Sequence, residues 1–209
     1  MTVLHSMREY AEAFDGRRCA AALGTFDGVH RGHAALIQRA IALAHGEGLP
    51  AVALTFDRHP LELTRPESAP RALMTEEEKL ALFEKLGLDG VIVEPFTKAF
   101  AAQTPESYVR ALCGALRPKY IVVGFNHRFG CHGEGDVRFL ASMAGALDYE
   151  AVVMDPVCAG GEPISSTRIR TLLEKGDRGA AEDLAGHALT RSPMTDMINK
   201  QAERERDGG

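Results

Sequence analysis

The chain has 209 residues, 45% of them hydrophobic and 25% charged, with a formal net charge of −5; that suffices for one sizeable core and is short for two ordinary domains. So mild a negative balance supplies no basic field to gather nucleic acid, and no apolar run reaches the roughly 18 residues that a membrane span needs. The opening Met1–Tyr10 is mixed rather than charged-then-apolar, so a cytoplasmic protein with no membrane or nucleic-acid partner is expected.

The first apolar run, Cys19–Leu23, reads as a buried strand. It leads through Gly24-Thr25-Phe26-Asp27-Gly28-Val29 to His30-Arg31-Gly32-His33 and the helical pattern Ala34–His45. A helix start offers unpaired N–H groups and a positive dipole end, so this turn reads as a polyphosphate site. His30 and His33 add two side-chain donors; if the helix has begun by His30, their spacing puts both on one face. Gly28 and Gly32 would let the backbone approach a ligand without an intervening Cβ. A second strand, Ala51–Phe56, runs into Asp57-Arg58-His59-Pro60, where His59 is either a further phosphate donor or a loop polar group before a proline-fixed turn. Leu61–Arg71, with Pro66 and Pro70, reads as a long surface loop.

Further along, Thr75-Glu76-Glu77-Glu78 fits a capping box for a helix over Glu76–Leu86, and Gly90–Val93 reads as a strand. Thr104-Pro105 marks the start of a helix to Leu116. The strand Tyr120–Gly124 feeds Phe125-Asn126-His127-Arg128-Phe129-Gly130, in which Asn126 can donate and accept at once and Arg128 can meet a phosphate. A helix over Asp136–Ala146 and a strand over Ala151–Met154 follow. Ile164-Ser165-Ser166-Thr167-Arg168-Ile169-Arg170 then opens a helix that Gly176 stops. Its hydroxyls are good caps, but two arginines in a first turn oppose the helix dipole and imply an anion there. Strands alternating with helices predict a doubly wound α/β fold, a parallel sheet with helices on both faces. In such a sheet ligands bind beyond the carboxyl ends of the strands, which is where these strings fall. Cys19, Cys113, Cys131 and Cys158 form no CxxC pair and are read as free thiols. His127, Cys131 and His132 lack a fourth ligand, so no direct protein ligation of a metal is expected.

The His30-x-Gly32-His33 string on a strand-to-helix turn resembles the first signature of the nucleotidylyltransferase superfamily. The longer Gly24–His33 string is similar to the FMN adenylyltransferase module of bacterial FAD synthetases. Ser165–Arg170 resembles the second nucleotide signature, Val122–Gly130 the segment VGxDFRFG, and Thr55–Pro60 the segment TFxPHP. The resemblance covers residues 1–187 and implies a Rossmann-like domain of the HxGH type; the polar, charged composition of 188–209 separately reads as a flexible tail. It implies transfer of AMP from ATP to FMN, giving FAD and pyrophosphate with Mg²⁺ as cofactor. The catalytic set would be His30, His33, Asn126 and Arg170. ATP would contact Gly24, Thr25, Phe26, Asp27, Gly28, His30, His33, Gly124, Ser165, Ser166, Thr167, Arg168 and Arg170. FMN would contact Phe56, Asp57, His59, Asn126, Arg128 and Phe129, with Phe129 stacking on the flavin.

Several positions depart from the family pattern. Asn126 replaces a common Asp, His127 a Phe, Arg58 a Pro, and Cys131 and Gly133 a Lys and an Arg. These changes bear on the acceptor more than on ATP, and leave open an adenylyltransferase for another phosphorylated acceptor or a weak nucleotide- or flavin-binding protein. The chain leaves the pattern near Gly186-His187-Ala188, where bacterial FAD synthetases continue into a riboflavin kinase, so no riboflavin phosphorylation is expected; no P-loop string is present either.

Overall fold

A computed structural model describes residues 1–190. Six parallel strands form one sheet in the order β1-β4-β3-β2-β5-β6, where β1 is Thr2–Leu4, β2 Cys19–Leu23, β3 Ala51–Phe56, β4 Gly90–Glu94, β5 Pro118–Gly124 and β6 Glu150–Met154. A short antiparallel hairpin pairs β7 (Cys158–Ala159) with β8 (Glu162–Pro163). The helices are α1 Tyr10–Ala13, α2 Arg31–His45, α3 Pro60–Thr64, α4 Glu76–Leu86, α5 Lys98–Ala101, α6 Pro105–Leu116, α7 Val137–Leu147, α8 Ser166–Glu174 and α9 Arg178–Ala185. None of the described helices is long and apolar enough to cross a membrane.

The sheet is two-sided because successive strand residues point to opposite faces. Cys19, Ala21 and Leu23 join Ile121 and Val123 in one buried layer with Tyr10 of α1, Val109, Leu112 and Leu116 of α6 and Leu140 of α7. Ala20, Ala22, Ala51, Ala53 and Val122 face the other way, against Leu36, Ile37, Ala40 and Ala44 of α2 and Phe83 of α4. All five residues of β2 are buried, and their small side chains let α2 lie close across β2, β3 and β5. The chain leaves β2 toward β3 on one side and reaches β5 on the other. The order therefore reverses at β2, and the carboxyl edge there opens a crevice.

Local chemistry fixes the boundaries. α4 starts with the full capping box of Thr75 and Glu78 that the sequence predicts. Pro118 opens β5, where a missing N–H does no harm. α2 begins at Arg31 rather than Ala34, because His30 is its cap and not a helical residue. The Leu61–Arg71 stretch, read as a loop, contains α3 and a 3₁₀ turn over Pro66–Ser68; His59 and Glu62 form a capping box there, with Pro60 at the first helical position. β1 escapes the sequence reading because its run is only three residues long on the sheet edge.

α8 and α9 pack on a third cluster of Leu73, Ile164, Ile169, Leu173, Ala181, Leu184 and Leu189. Leu189 is 1% exposed, and its N–H donates to Glu182 at 3.1 Å, so packed residues extend into the stretch read as a flexible tail over 188–209. Residues 191–209 of that stretch lie outside the described residues.

Candidate active site

The turn from β2 to α2 is a strained stretch of backbone. Phe26 (φ 48°) and Val29 (φ 31°) sit in the left-handed region without being glycine, and Gly28 sits at φ 76°. His30 caps α2: its Nδ1 accepts the His33 N–H at 3.3 Å. A Cβ at Gly32 would lie 3.1 Å from that ring, so glycine makes room for the capping imidazole. An accepting Nδ1 is unprotonated, which places the proton of the neutral ring on Nε2 and makes it a donor. The His33 ring stacks on His30 at 3.6 Å between centroids and 15° between planes. Its own Nδ1 is buried without a partner.

Burial keeps both histidines neutral. It pulls His30 down to about 4, helped by the charge of His187, and it pulls His33 well below the usual imidazole range, helped by His30 and Lys79. Two stacked neutral imidazoles, His30 as the cap and His33 in the first turn, thus stand at the start of a 15-residue helix whose first N–H groups have no helical acceptor. An anion placed there meets donors and a favourable dipole.

α8 closes on the same turn. Ser165 caps it, accepting the Arg168 N–H at 3.2 Å, and Ser166 Oγ donates to the Asp27 carbonyl at 2.8 Å. Asp27 Oδ1 accepts the Leu73 N–H at 2.9 Å, while Oδ2 pairs with Arg170, whose Nε donates to the Arg71 carbonyl at 2.8 Å. Arg170 thus reaches the site already held between an acid and a carbonyl. Arg168 turns elsewhere: Nη1 donates to the carbonyls of Ala159 at 2.9 Å and Glu162 at 3.1 Å, fixing the β7–β8 hairpin.

These parts border one cavity of about 1210 Å³ at the carboxyl edge of β2, β3 and β5. Gly24, Thr25, Phe26, Asp27, His30, His33, Gly124, Ser165, Ser166, Thr167 and Arg170 all line it, as do Phe56, His59, Asn126, Arg128 and Phe129. Three expected contacts stand outside its lining. Gly28 is backed by Leu73, whose Cδ1 lies 2.7 Å from where a Cβ would be, so its freedom serves packing rather than ligand approach. Arg168 serves the hairpin, and Asp57 accepts the Phe96 N–H at 2.9 Å and pairs with Arg58 at 3.0 Å.

The far wall is aromatic. Phe56, Phe96, Phe100, Tyr108 and Phe129 follow one another with neighbouring centroids 5.0–5.8 Å apart. Phe129 is only 8% exposed and is pinned by paired backbone bonds with Gly135. His127 stacks on it at 5.6 Å with Nε2 enclosed and unpartnered, and burial lowers this imidazole to about 4. His59 Nδ1 accepts the Leu61 N–H at 3.2 Å, which aims a second cap-fixed imidazole at the cavity.

Sequence reasoning did not find Lys79, whose Nζ donates to the Thr25 carbonyl at 3.3 Å, or His187, whose Nε2 meets the Gly28 carbonyl at 2.9 Å. One signal for Lys79 was available: a cation in the first turn of a helix, the same anomaly that marked Arg168 and Arg170. Phe96, Phe100 and Tyr108 lie close together in the chain, and the fold brings them to Phe56 and Phe129.

Residues 13–168 match the FAD synthetase family, to which the chain therefore belongs. A bifunctional riboflavin kinase/FMN adenylyltransferase of Escherichia coli K12 is 36% identical over 175 residues, 83% of this chain and 56% of that protein. One of the same name from Bacillus subtilis is 33% identical over 168 residues, 79% and 52% of the two chains. The chain thus spans about half the length of these curated relatives; it also covers 90% of a Geobacillus thermodenitrificans relative at 38% identity. Among solved structures, a macrolide-efflux protein from Streptococcus pneumoniae superposes with a TM-score of 0.77 at 25% identity, covering 90% of this chain and 62% of that one. A pantoate-beta-alanine ligase from Francisella tularensis, complexed with beta-gamma ATP and beta-alanine, shares the fold with a TM-score of 0.57 at 12% identity, covering 88% and 86%.

Proposed function

We propose that this chain transfers the adenylyl group of ATP to the phosphate of FMN, releasing pyrophosphate and forming FAD. The observation that carries the reading is the convergence of two helix N-termini on one cavity: α2 with His30 and His33, and α8 with Ser166, Thr167 and Arg170. A polyphosphate laid between them meets backbone N–H groups, imidazole and hydroxyl donors and one guanidinium. Its volume exceeds the 300–1,000 Å³ of an ordinary small-molecule site, as a pocket for two substrates should. Phe56, Phe96 and Phe100 supply apolar ring surface in the same cavity against which a flavin ring can pack.

The chemistry needs no covalent enzyme intermediate. A phosphate oxygen of FMN attacks Pα, the bond from Pα to the bridging oxygen of Pβ breaks, and pyrophosphate leaves with that electron pair. The nucleophile is already an oxyanion, so no general base is required. His30 and His33 donate to phosphate oxygens and stabilise charge gathering on the leaving group; Asn126 aligns the reactants and Arg170 closes on the triphosphate, exchanging its bond to Asp27. Cys131 and Gly133 line the cavity where the family pattern has cations, which favours as second reading the same ATP half with another phosphorylated acceptor.

A divalent cation supplies charge neutralisation in such transfers. The side chains do not build a site for it. Among the described residues no three His, Cys, Asp or Glu groups gather to hold a metal, and both Asp27 oxygens are occupied by Leu73 N–H and Arg170. Mg²⁺ is accordingly assigned to the nucleotide's own phosphates.

The test incubates the protein with ATP and Mg²⁺, with and without FMN, and measures pyrophosphate and FAD. FMN-dependent release with stoichiometric FAD is expected. Release only with another phosphorylated acceptor selects the second reading, and nucleotide binding without release rejects both.

A further inference from the structure

Phe26 and Val29 hold left-handed backbone that persists only where the surroundings over-determine it. The side chains responsible can be named. Ser166 holds the Asp27 carbonyl and His187 the Gly28 carbonyl, at 2.8 and 2.9 Å. The Thr25 carbonyl has two donors, Thr55 Oγ1 at 3.0 Å and Lys79 Nζ at 3.3 Å.

Of these donors Lys79 is the least expected. It lies in the first turn of α4, just after Glu76–Glu78, where the helix dipole opposes a cation. It is half-buried, and its ammonium is directed at a neutral carbonyl. Burial lowers its proton affinity against the attraction of Asp27 and Glu76, and its charge is felt at both His33 and His59. A cation held in that position at such cost suits a site that receives negative charge. Geometry gives it a second effect. The C=O and N–H of one trans peptide point in opposite directions. With the Thr25 carbonyl drawn back toward β3 and α4, the Phe26 N–H is turned the other way, on a stretch where Thr25 and Phe26 both line the cavity.

We propose that Lys79 is a positioning residue for the nucleotide: it holds the Thr25 carbonyl back so that the Phe26 N–H faces the phosphates, and it sets a fixed positive charge behind the paired histidines. This inference rests on reading the cavity as an ATP site and is independent of the acceptor.

The test measures ATP binding by titration calorimetry, the proton titration of His33 by NMR, and the thermal midpoint, in the wild type, Lys79→Met and Lys79→Arg. The charged and titratable groups acting on His33 are His30 from the α2 cap and Lys79 from α4; His187 acts on His30, and Asp27, Arg170, Glu62 and Lys79 act on His59. Only Lys79 changes in these variants. Lys79→Met should weaken ATP by about tenfold or more and move the His33 titration to higher pH, because a repelling charge is gone. Lys79→Arg should recover ATP affinity to within about threefold, since it keeps both the charge and a donor. Lys79→Gln replaces Lys79→Met if the latter does not fold. ATP affinity unchanged in the neutral variants overturns the proposal. So does a loss that Arg does not rescue and that leaves the His33 titration in place, since that is a packing effect alone. A wild type that binds no ATP instead rejects the functional reading itself.

Discussion

His30 caps α2 and is proposed to donate to the phosphates, and the two roles can be separated by one pair of substitutions. Its Nδ1 caps α2 by accepting the His33 N–H, and its Nε2–H is left to donate into the cavity. Removing the ring in His30→Ala abolishes both. Loss of a cap costs about 1 kcal/mol, and loss of the stacked, 6% exposed ring adds a term of similar size. For a domain of this size, 1–2 kcal/mol corresponds to a drop of about 2–8 °C in Tm. Losing one donor aimed at developing charge costs about 2.7–4 kcal/mol in the transition state, or 10²–10³ in kcat/KM. His30→Asn keeps a side-chain cap acceptor but cannot reach as far as Nε2. It should therefore recover most of the lost Tm while remaining 10²-fold or more impaired. Differential scanning fluorimetry and pyrophosphate release measure the two quantities on the same samples. Asn at wild-type turnover removes His30 from the chemistry, and an Asn variant as unstable as Ala removes the capping role.

The remaining expectations concern pH, the hairpin and the third cluster. His30, His33 and His127 all have imidazoles depressed by burial, so the unfolded chain binds their protons first; the stability they contribute is present above about 6.5 and declines as pH falls toward 4. Tm should fall progressively from pH 7 to 4.5, with part of the fall absent in His127→Phe; a flat profile refutes the assignment. Arg168→Ala frees the β7–β8 hairpin and should raise the KM for ATP several-fold with little change in kcat, whereas Arg170→Lys should lower kcat/KM for ATP through loss of the planar fork. Steady-state kinetics showing the reverse pattern would return Arg168 to the phosphates. Leu189→Ala should cost about 2–4 kcal/mol by denaturant unfolding, because Leu189 is 1% exposed among Ile169, Leu173 and Leu184; a loss under 1 kcal/mol would mean that the packed domain ends earlier.

The sheet and its long helices were legible because their signals are local. Strands buried on both faces appear as continuous apolar runs, and the starts of α4 and α6 are written in Thr75-x-x-Glu78 and Thr104-Pro105. The strings at the starts of α2 and α8 that line the cavity were legible for the same reason: each lies at a single helix start. What escaped depended on contacts made across the fold. Arg168 and Arg170 lie two residues apart near the start of α8 and share a chemistry, and nothing in the string says that one turns to a hairpin carbonyl and the other to Asp27. Gly28 looked like a ligand approach until Leu73, far along the chain, filled the space. β1 and the stretch around Leu189 are short runs whose burial is decided by partners they meet only after folding.

The same distinction explains why the two ends of the cavity differ in how firmly sequence specifies them. At the end proposed for the phosphates, the candidate binding groups are backbone N–H donors of two helix starts, supplemented by side chains such as His30, whose cap fixes its tautomer and direction. Backbone donors require only that the helices begin where they do, so the motif carries nearly all the information. At the aromatic end, Phe56, the stretch holding Phe96, Phe100 and Tyr108, and Phe129 come from three separate parts of the chain, and their rings meet by packing alone. A replacement such as His127, stacked on Phe129 and buried neutral, alters that surface without disturbing any signature. On the proposed reading, a phosphate site built this way depends little on the aromatic wall, so the identity of the phosphorylated acceptor has to be measured at that wall.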